Sequence, residues 1–184
     1  MNDTLREAEQ KMSKSVEATR EDFATIRAGR ANPSMFNKIV VDYYGSPTPL
    51  QSLATFTSQD ARVILIAPFD QSAMDAIERA VRDSDLGVNP SNDGRVLRCA
   101  FPELTEERRK EYIKLAKAKA EDGRVSVRNV RRTAKQALER LEKDGEVGKD
   151  DVSGAEKRLD GLTKTHTDQI DEMLKKKEAE LLEV

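Results

Sequence analysis

Apolar residues at steps of three or four mark the first thirty positions of the chain as a helix. The stripe consists of Leu5, Ala8, Met12, Val16, Thr19, Phe23 and Ile26. This spacing is typical of an amphipathic helix that buries one face against a partner. The helix is expected to stop at Gly29, since glycine favours helix ends and Pro33 follows closely.

Short runs of β-branched residues replace this pattern over residues 31–104. They predict strands at KIVVDYYG, LATFTS and RVILIAP, with a turn at GSPTP after the first. The stretch DQSAMDAIERAVRDS predicts a short helix with Asp70 as its N-cap, and two further strands are expected around NDG. We therefore expect a small α+β unit in this part of the chain.

Helical spacing returns after Pro102 and continues, without another proline, to the C-terminus. It predicts one helix from Thr105, its expected N-cap, through Gly123 to about residue 144, and another from about residue 150 to residue 182. Three long amphipathic helices can bury their stripes by packing together. The pattern therefore predicts a bundle with a coiled-coil-like seam.

The predicted fold class is α+β with two domains. Residues 1–30 and 105–184 form an elongated three-helix bundle, and residues 31–104 form an α+β domain inserted between helices 1 and 2. Two linkers, 30–33 and 102–105, join the domains, and such paired linkers predict a hinge. The hinge residues are Gly29, Arg30, Ala31, Pro33, Pro102, Leu104 and Thr105.

Composition narrows the possible chemistry. Apolar residues make up 37% and charged residues 36%, which fits helices sharing a thin core; disorder is disfavoured by the periodic stripes. One cysteine and one histidine exclude a disulfide framework and the common Cys/His zinc sites, so no metal is expected. The N-terminus carries acids instead of a signal sequence, and the longest apolar run, VILIAPF, is too short to span a membrane. The expected location is the cytoplasm.

Positive charge is concentrated in one segment. Residues 108–135 hold eleven basic and three acidic side chains, a net charge of +8, whereas the whole chain carries −2. At about 100° per residue, the cations of this helix fall within about 100° of arc, roughly 120° from its apolar stripe. They are Lys110, Lys114, Lys117, Arg124, Arg128, Arg131, Arg132 and Lys135.

Two interpretations of this cation row are open. A solvated helix face balanced by ion pairs is the ordinary one, but only one acid, Glu121, lies in the row. A polyanion-binding face fits better, because arginines suit phosphate geometry. Ser126, Asn129 and Thr133 flank the row where a membrane-binding helix would carry bulky apolar residues, and no DNA-binding motif is present. Structured RNA is therefore the favoured ligand.

Catalytic patterns are missing from the sequence. The stretch GEVGKDD lacks the spacing and the Ser/Thr of a phosphate-binding loop. His166 lies on an apolar stripe and Cys99 lies in a predicted strand, so both are expected to pack rather than to react. We predict no enzymatic activity and no cofactor.

Five motifs in register resemble the bacterial ribosome recycling factor family: IRAGRANP, VDYYGSPTPL, DLGVNPSNDG, LTEERRKE and VRNVRR. The resemblance covers essentially the whole chain, although Thr133 and Ala100 stand where the family is expected to have Asp and Pro. It implies a factor that binds the post-termination ribosome on large-subunit ribosomal RNA. With elongation factor G and GTP, such a factor moves its smaller domain about the hinge and splits the subunits. We expect a monomer.

The resemblance implies RNA contacts by the three arginines of VRNVRR, and geometry extends this set along the helix and to the end of the first helix. The full RNA-binding set is Arg27, Arg30, Lys110, Lys114, Lys117, Arg124, Arg128, Asn129, Arg131, Arg132 and Lys135. For Asn129, a structural bond to the first helix is an equal alternative. One of Tyr43 and Tyr44 is expected to pack in the small sheet. The alternative function is a non-enzymatic coiled-coil module that binds an acidic protein.

Overall fold

The computed structural model describes residues 1–183 and has three long helices, with a small α+β domain inserted between the first two. In chain order the elements are α1 (Asn2–Thr25), β1 (Val40–Tyr43), β2 (Ser46–Pro49), β3 (Ala54–Asp60), β4 (Val63–Pro68), α2 (Met74–Arg82), β5 (Asn89–Asn92), β6 (Leu97–Ala100), α3 (Glu106–Lys143) and α4 (Lys149–Leu182). The predicted fold class is confirmed. None of the helices within residues 1–183 is both long enough and apolar enough to cross a membrane.

Two compact units make up the chain. One comprises Met1–Phe23 and Lys114–Glu178, and the other comprises Ala24–Ile113 and the residues from Ala179 onwards. Their boundaries fall inside the long helices, whereas the predicted domain limits follow the linkers. The predicted limits at 31–104, and the hinge between the domains, therefore stay predictions.

The bundle seam follows the predicted apolar stripes. The stripe of α1 is buried from Leu5 to Phe23, but the helix ends at Thr25 instead of Gly29. The next residues, Ile26 and Arg27, are buried outside the helix. The helix α3 continues through Gly123 as predicted, for 38 residues or about 57 Å. Thr105 caps it, since the Arg108 N–H donates to Thr105 Oγ1 at 3.2 Å.

Polar side chains cross the seam at defined points. His166 is buried, donates from Nδ1 to the Leu162 carbonyl at 2.7 Å, and places Nε2 3.3 Å from Ser13 Oγ on α1. The hydroxyl oxygens of Ser15 on α1 and Ser126 on α3 lie 2.7 Å apart. These hydrogen bonds satisfy polar groups within an apolar seam. The prediction that His166 is a seam residue is confirmed.

The inserted domain is built on a four-stranded antiparallel sheet in the order β3–β4–β6–β5. Its largest fully buried side chains, which share one core with α2, are Phe36, Val41, Leu50, Ile64, Ile66, Ile77 and Leu97. Asp70 Oδ1 accepts from the Ser72 N–H at 3.0 Å, so Asp70 is a cap, but of the short 3-10 turn Gln71–Ala73. The N-cap of α2 itself is Ala73, one turn later than predicted.

The segment GSPTP is a strand, and its interpretation as a turn is wrong. Ser46–Pro49 form β2, which pairs antiparallel with β1. Pro47 and Pro49 are tolerated because β2 is an edge strand, where a proline nitrogen can face outward without loss of a ladder bond. The turn itself is the pair Tyr44 and Gly45, with φ angles of 50° and 79°. Positive φ at both positions is typical of a two-residue hairpin turn.

The two tyrosines of this hairpin have different surroundings. Tyr43 is half-buried, and its hydroxyl donates to Asp70 Oδ2 at 2.7 Å. That bond holds the pKa of the Asp70 carboxyl below its ordinary value. Tyr44 is 78% exposed, with its ring edge-on to Tyr43 at 4.6 Å between centroids. Tyr43 is therefore the tyrosine that packs.

Cys99 on β6 is fully buried, as predicted, and burial raises the pKa of its thiol to about 12. Almost none of the thiol is therefore the reactive thiolate at neutral pH. We expect a thiol reagent to label the folded protein at least about a hundredfold more slowly than the urea-unfolded protein. With an aromatic disulfide as the reagent, the absorbance of the aromatic thiolate that it releases measures both rates. Equal rates with and without urea would contradict the burial of Cys99.

Candidate nucleic-acid interface

Seven of the eight predicted cations lie on the part of α3 that belongs to the first compact unit, Met1–Phe23 and Lys114–Glu178. We call them the α3 cation face: Lys114, Lys117, Arg124, Arg128, Arg131, Arg132 and Lys135. Most successive members are three, four or seven residues apart, which places them on one side of the helix. The face extends from Lys114 to Lys135, about 32 Å along the helix axis.

Arg132 and Lys114 are the unpaired cations of this face. Both side chains are exposed, and neither forms an ion pair with any residue between 1 and 183. Arg132 Nη2 donates to the Asn129 amide oxygen at 3.0 Å. A guanidinium has five N–H donors, so most of those on Arg132 remain available to an external acceptor.

Glu121 bridges two arginines of the face. Its Oε2 lies 2.9 Å from Arg124 Nη2, and its Oε1 lies 3.3 Å from Arg128 Nη1. The hydrogen bond from Arg124, together with the one from Arg128, holds the pKa of the Glu121 carboxyl below its ordinary value. Glu121 is therefore ionised at neutral pH.

Two aspartates of α4 also reach the face. Asp171 Oδ1 lies 2.7 Å from Arg124 Nη1, and Asp160 Oδ1 lies 2.8 Å from Arg131 Nε. The sequence places Glu121 alone among these cations, but the neighbouring helix supplies further acids. Glu121 is still the one acid within the row itself, but the expectation that ion pairs do not balance this face is wrong for Arg124, Arg128 and Arg131.

The lysines of the face have only distant partners. Lys117 Nζ lies 4.0 Å from Glu178 Oε1, and Lys135 Nζ lies 3.9 Å from Glu139 Oε1. Exposed pairs at such distances are screened by salt and add little to stability. Both lysines can therefore turn toward an external anion.

Asn129 bonds Arg132 and not α1. The structural bond to the first helix, the alternative role for this residue, is not found among residues 1–183. The side chain instead borders a groove between α1 and α3, together with Lys11 and Thr133. Asn129 thus orients an arginine of the face, and its own contact with RNA stays a prediction.

The placement of Arg27 on an RNA-binding surface is wrong. Its side chain is only 5% exposed, and its guanidinium carbon lies 5.6 Å from the centre of the Phe101 ring. Burial lowers the pKa of Arg27, and the ring face offsets part of the cost of burying the charge. Arg30 is exposed after α1, and Lys110 lies 3.5 Å from Glu106. Both belong to the second unit, and RNA contact by either stays a prediction.

The predicted hinge residues all lie in the second unit. The Ala31 N–H donates to the Ala61 carbonyl at 2.9 Å, and Ala31 and Leu104 are buried. Pro33 begins a short 3-10 helix. The exposed hinge residues are Gly29, Arg30, Pro102 and Thr105. Each of the two predicted linkers thus contains one buried residue, Ala31 in the first and Leu104 in the second.

Asp160 and Asp171 were not predicted as partners of the cation row. A spacing of seven could have indicated them, because Lys117, Arg124 and Arg131 recur at this interval beside the apolar stripe. In coiled coils such positions form ion pairs with the neighbouring helix. These three residues therefore lie along the edge of the face that is paired with α4, whereas Arg132 lies on its unpaired side.

Anion binding is the chemistry that this arrangement supports. Arginine and lysine donors in a row suit the regularly spaced charges of a phosphate backbone. No group of three or more His, Cys, Asp or Glu side chains within the described chain could hold a metal ion.

Comparisons with known proteins indicate one family. The family model described as ribosome recycling factor matches residues 19–182. The chain is 78% identical to the ribosome-recycling factor of Nocardioides sp. and 64% identical to that of Pseudarthrobacter chlorophenolicus. Each alignment spans 184 residues and covers 100% of both proteins.

Two solved structures are similar along the whole chain. One is the solution structure of the ribosome recycling factor, with 38% identity, a TM-score of 0.78, and coverage of 100% of this chain and 97% of that one. The other belongs to models for the T. thermophilus ribosome recycling factor and the E. coli elongation factor G bound to the E. coli post-termination complex. It is 40% identical, with a TM-score of 0.67 and coverage of 99% and 98%.

Proposed function

The chain belongs to the ribosome recycling factor family, and from this premise we propose that it is a translation factor that splits the post-termination ribosome. The protein binds large-subunit ribosomal RNA through the α3 cation face. Elongation factor G, with GTP, then drives subunit separation. The solved relative that is described with elongation factor G on a post-termination complex supports these partners. The protein acts as a monomer in the cytoplasm.

The observation that supports the RNA-binding step is the exposed, unpaired Arg132 toward the C-terminal end of the α3 cation face. Its planar guanidinium matches the geometry of a phosphate group, and lysines of the face lie on both sides along α3. A long row of cations engages several phosphates at once, so that binding is strong without any deep pocket.

The separation step is assigned to motion of the inserted domain. The sequence contains no phosphate-binding loop, so GTP hydrolysis belongs to the partner. Two linkers that absorb changes in φ and ψ allow a domain to move while its neighbour stays bound. The three long helices provide the part that stays bound to RNA.

Binding to large ribosomal subunits is expected to weaken steeply with salt. Each phosphate contact contributes about 0.7–0.9 to the slope of log affinity against log salt concentration, so several contacts give a slope of several units. Titration of fluorescently labelled protein with subunits at four or more potassium chloride concentrations measures this slope. A flat response would contradict phosphate binding.

Ribonuclease treatment separates this function from the alternative, a coiled-coil module that binds an acidic protein. Digestion of the RNA should release the factor from the ribosomal fraction in a sedimentation assay. Retention after complete digestion would favour a protein partner instead.

Subunit splitting is expected to require motion between the two domains. A covalent cross-link between them should leave large-subunit binding intact and abolish splitting of post-termination ribosomes by elongation factor G and GTP, as followed by light scattering. A reducible cross-link provides the control, because reduction should restore splitting. Full activity of the locked protein would show that the motion is not needed.

A further inference from the structure

Carboxylates occupy positions on the α3 cation face where phosphate oxygens would bind. Glu121 lies between Arg124 and Arg128, at 2.9 Å and 3.3 Å from their terminal nitrogens. Asp171 adds a second acceptor to Arg124, whose side chain is only 20% exposed. A guanidinium that donates to two carboxylates has few N–H groups left for a phosphate.

These acids are expected to add little to folding stability. The side chains of Glu121, Asp160 and Asp171 are 52%, 59% and 56% exposed. Ion pairs with such exposed partners are screened by salt and contribute little to the free energy of unfolding. Within residues 1–183, moreover, Glu121 pairs only with arginines of its own helix, so it does not link α3 to another helix.

We propose that Glu121, Asp160 and Asp171 are internal competitors of phosphate, which set how tightly the α3 cation face binds RNA. This inference rests on the proposed function. In the free protein the unpaired cations, Arg132 above all, make the first contacts with RNA. The three paired arginines then exchange a carboxylate for a phosphate, and each exchange yields less affinity than a contact by a free cation.

The exchange of a carboxylate for a phosphate should change how the affinity for RNA depends on salt concentration. A phosphate that is neutralised by a free cation releases a bound counterion, and this release makes affinity fall with salt. A carboxylate that is displaced from its arginine takes up a cation from solution, which cancels part of the release. Removal of such a carboxylate should therefore raise the affinity and also steepen its dependence on salt.

Two variants and two matched controls test this inference. Glu121→Gln and Asp171→Asn each remove one competing carboxylate. Glu17→Gln and Asp168→Asn remove the same charge from exposed ion pairs that do not involve the α3 cation face. Dissociation constants for large ribosomal subunits are measured for all four proteins and the unmodified protein at several potassium chloride concentrations.

We expect each test variant to bind about two- to fivefold more tightly at low salt. The log–log slope should steepen by up to about 0.7–0.9 for each carboxylate removed. The control variants should gain less than half as much affinity and keep the original slope. Equal gains in test and control variants, or an unchanged slope in the test variants, would overturn the inference.

Arg132→Ala in the same assay separates this inference from the proposed function. If Arg132→Ala weakens binding while Glu121→Gln does not tighten it, the RNA-binding face stands and the competition is wrong. If Arg132→Ala leaves the affinity unchanged, the α3 cation face is not the RNA-binding surface, and both the proposed function and this inference are wrong.

Asp171→Asn removes a contact between α3 and α4, so its melting temperature is compared with that of Asp168→Asn. Glu121→Gln removes no contact between helices and decides the question if Asp171→Asn is unstable.

Discussion

Reversal of the charge at Arg132, by Arg132→Glu, is expected to weaken binding to large ribosomal subunits by about tenfold to a hundredfold. The variant loses a guanidinium whose donors are mostly free, and it places an acid against the phosphate backbone. Arg132 bonds only Asn129 among the described side chains, so folding should be unaffected. A fluorescence titration at fixed salt measures the affinity, and circular dichroism measures the helix content.

Arg158→Glu is the matched control for this result. It makes the same charge change on an exposed position of α4, beside a groove that α4 forms with α1. We expect it to change the affinity no more than about threefold, because only long-range repulsion acts. If both reversals weaken binding equally, net charge matters and the α3 cation face does not.

Replacement of Gly123 by alanine is expected to lower the free energy of unfolding by about 1–3 kcal/mol. A Cβ at this position would overlap the Thr19 side chain and lie 3.1 Å from Ile170 Cδ1. Thr19 cannot turn away freely, because its hydroxyl donates to the Ser15 carbonyl at 3.0 Å. The overlap therefore outweighs the gain in helix propensity, about 1 kcal/mol, that alanine brings.

Gly161→Ala is the control, because it makes the same substitution without the overlap. Gly161 is exposed within α4, and outside the neighbouring backbone of its own helix no described atom lies within 4 Å of an added Cβ. This variant should be more stable than the unmodified protein by about 0.5–1 kcal/mol. Urea unfolding followed by circular dichroism measures both changes. A Gly123→Ala variant as stable as Gly161→Ala would contradict the close approach of the three helices.

The spacing of apolar residues predicts the long helices of this protein, because the residues that each helix buries recur every three or four positions along the chain. α3 runs through Gly123 although glycine is a poor helix former, since apolar residues continue at helical spacing on both sides. The strands β3 and β4 likewise follow from runs of β-branched residues. The caps at Asp70 and Thr105 were readable because capping acts over three residues or fewer.

Features that depend on contacts between distant parts of the chain could not be predicted from the sequence. The pairing of Arg124 with Asp171 requires the relative position of two helices, which helical spacing within either one does not fix. Arg27 was expected in the RNA-binding patch because the end of the first helix lies near the start of the second in a bundle. Its burial follows from Phe101, which no local pattern connects to it. The segment GSPTP reads as a turn unless its place at a sheet edge is known.

The outer edge of β2 disfavours strand pairing with other copies of the protein. Pro47 and Pro49 have no N–H to donate, so a strand from another molecule that approached this edge would find a broken ladder. Exposed strand edges otherwise act as templates for intermolecular sheets and fibrils. We therefore expect the two prolines to keep this exposed hairpin, with Tyr44 at its tip, from pairing with strands of other molecules.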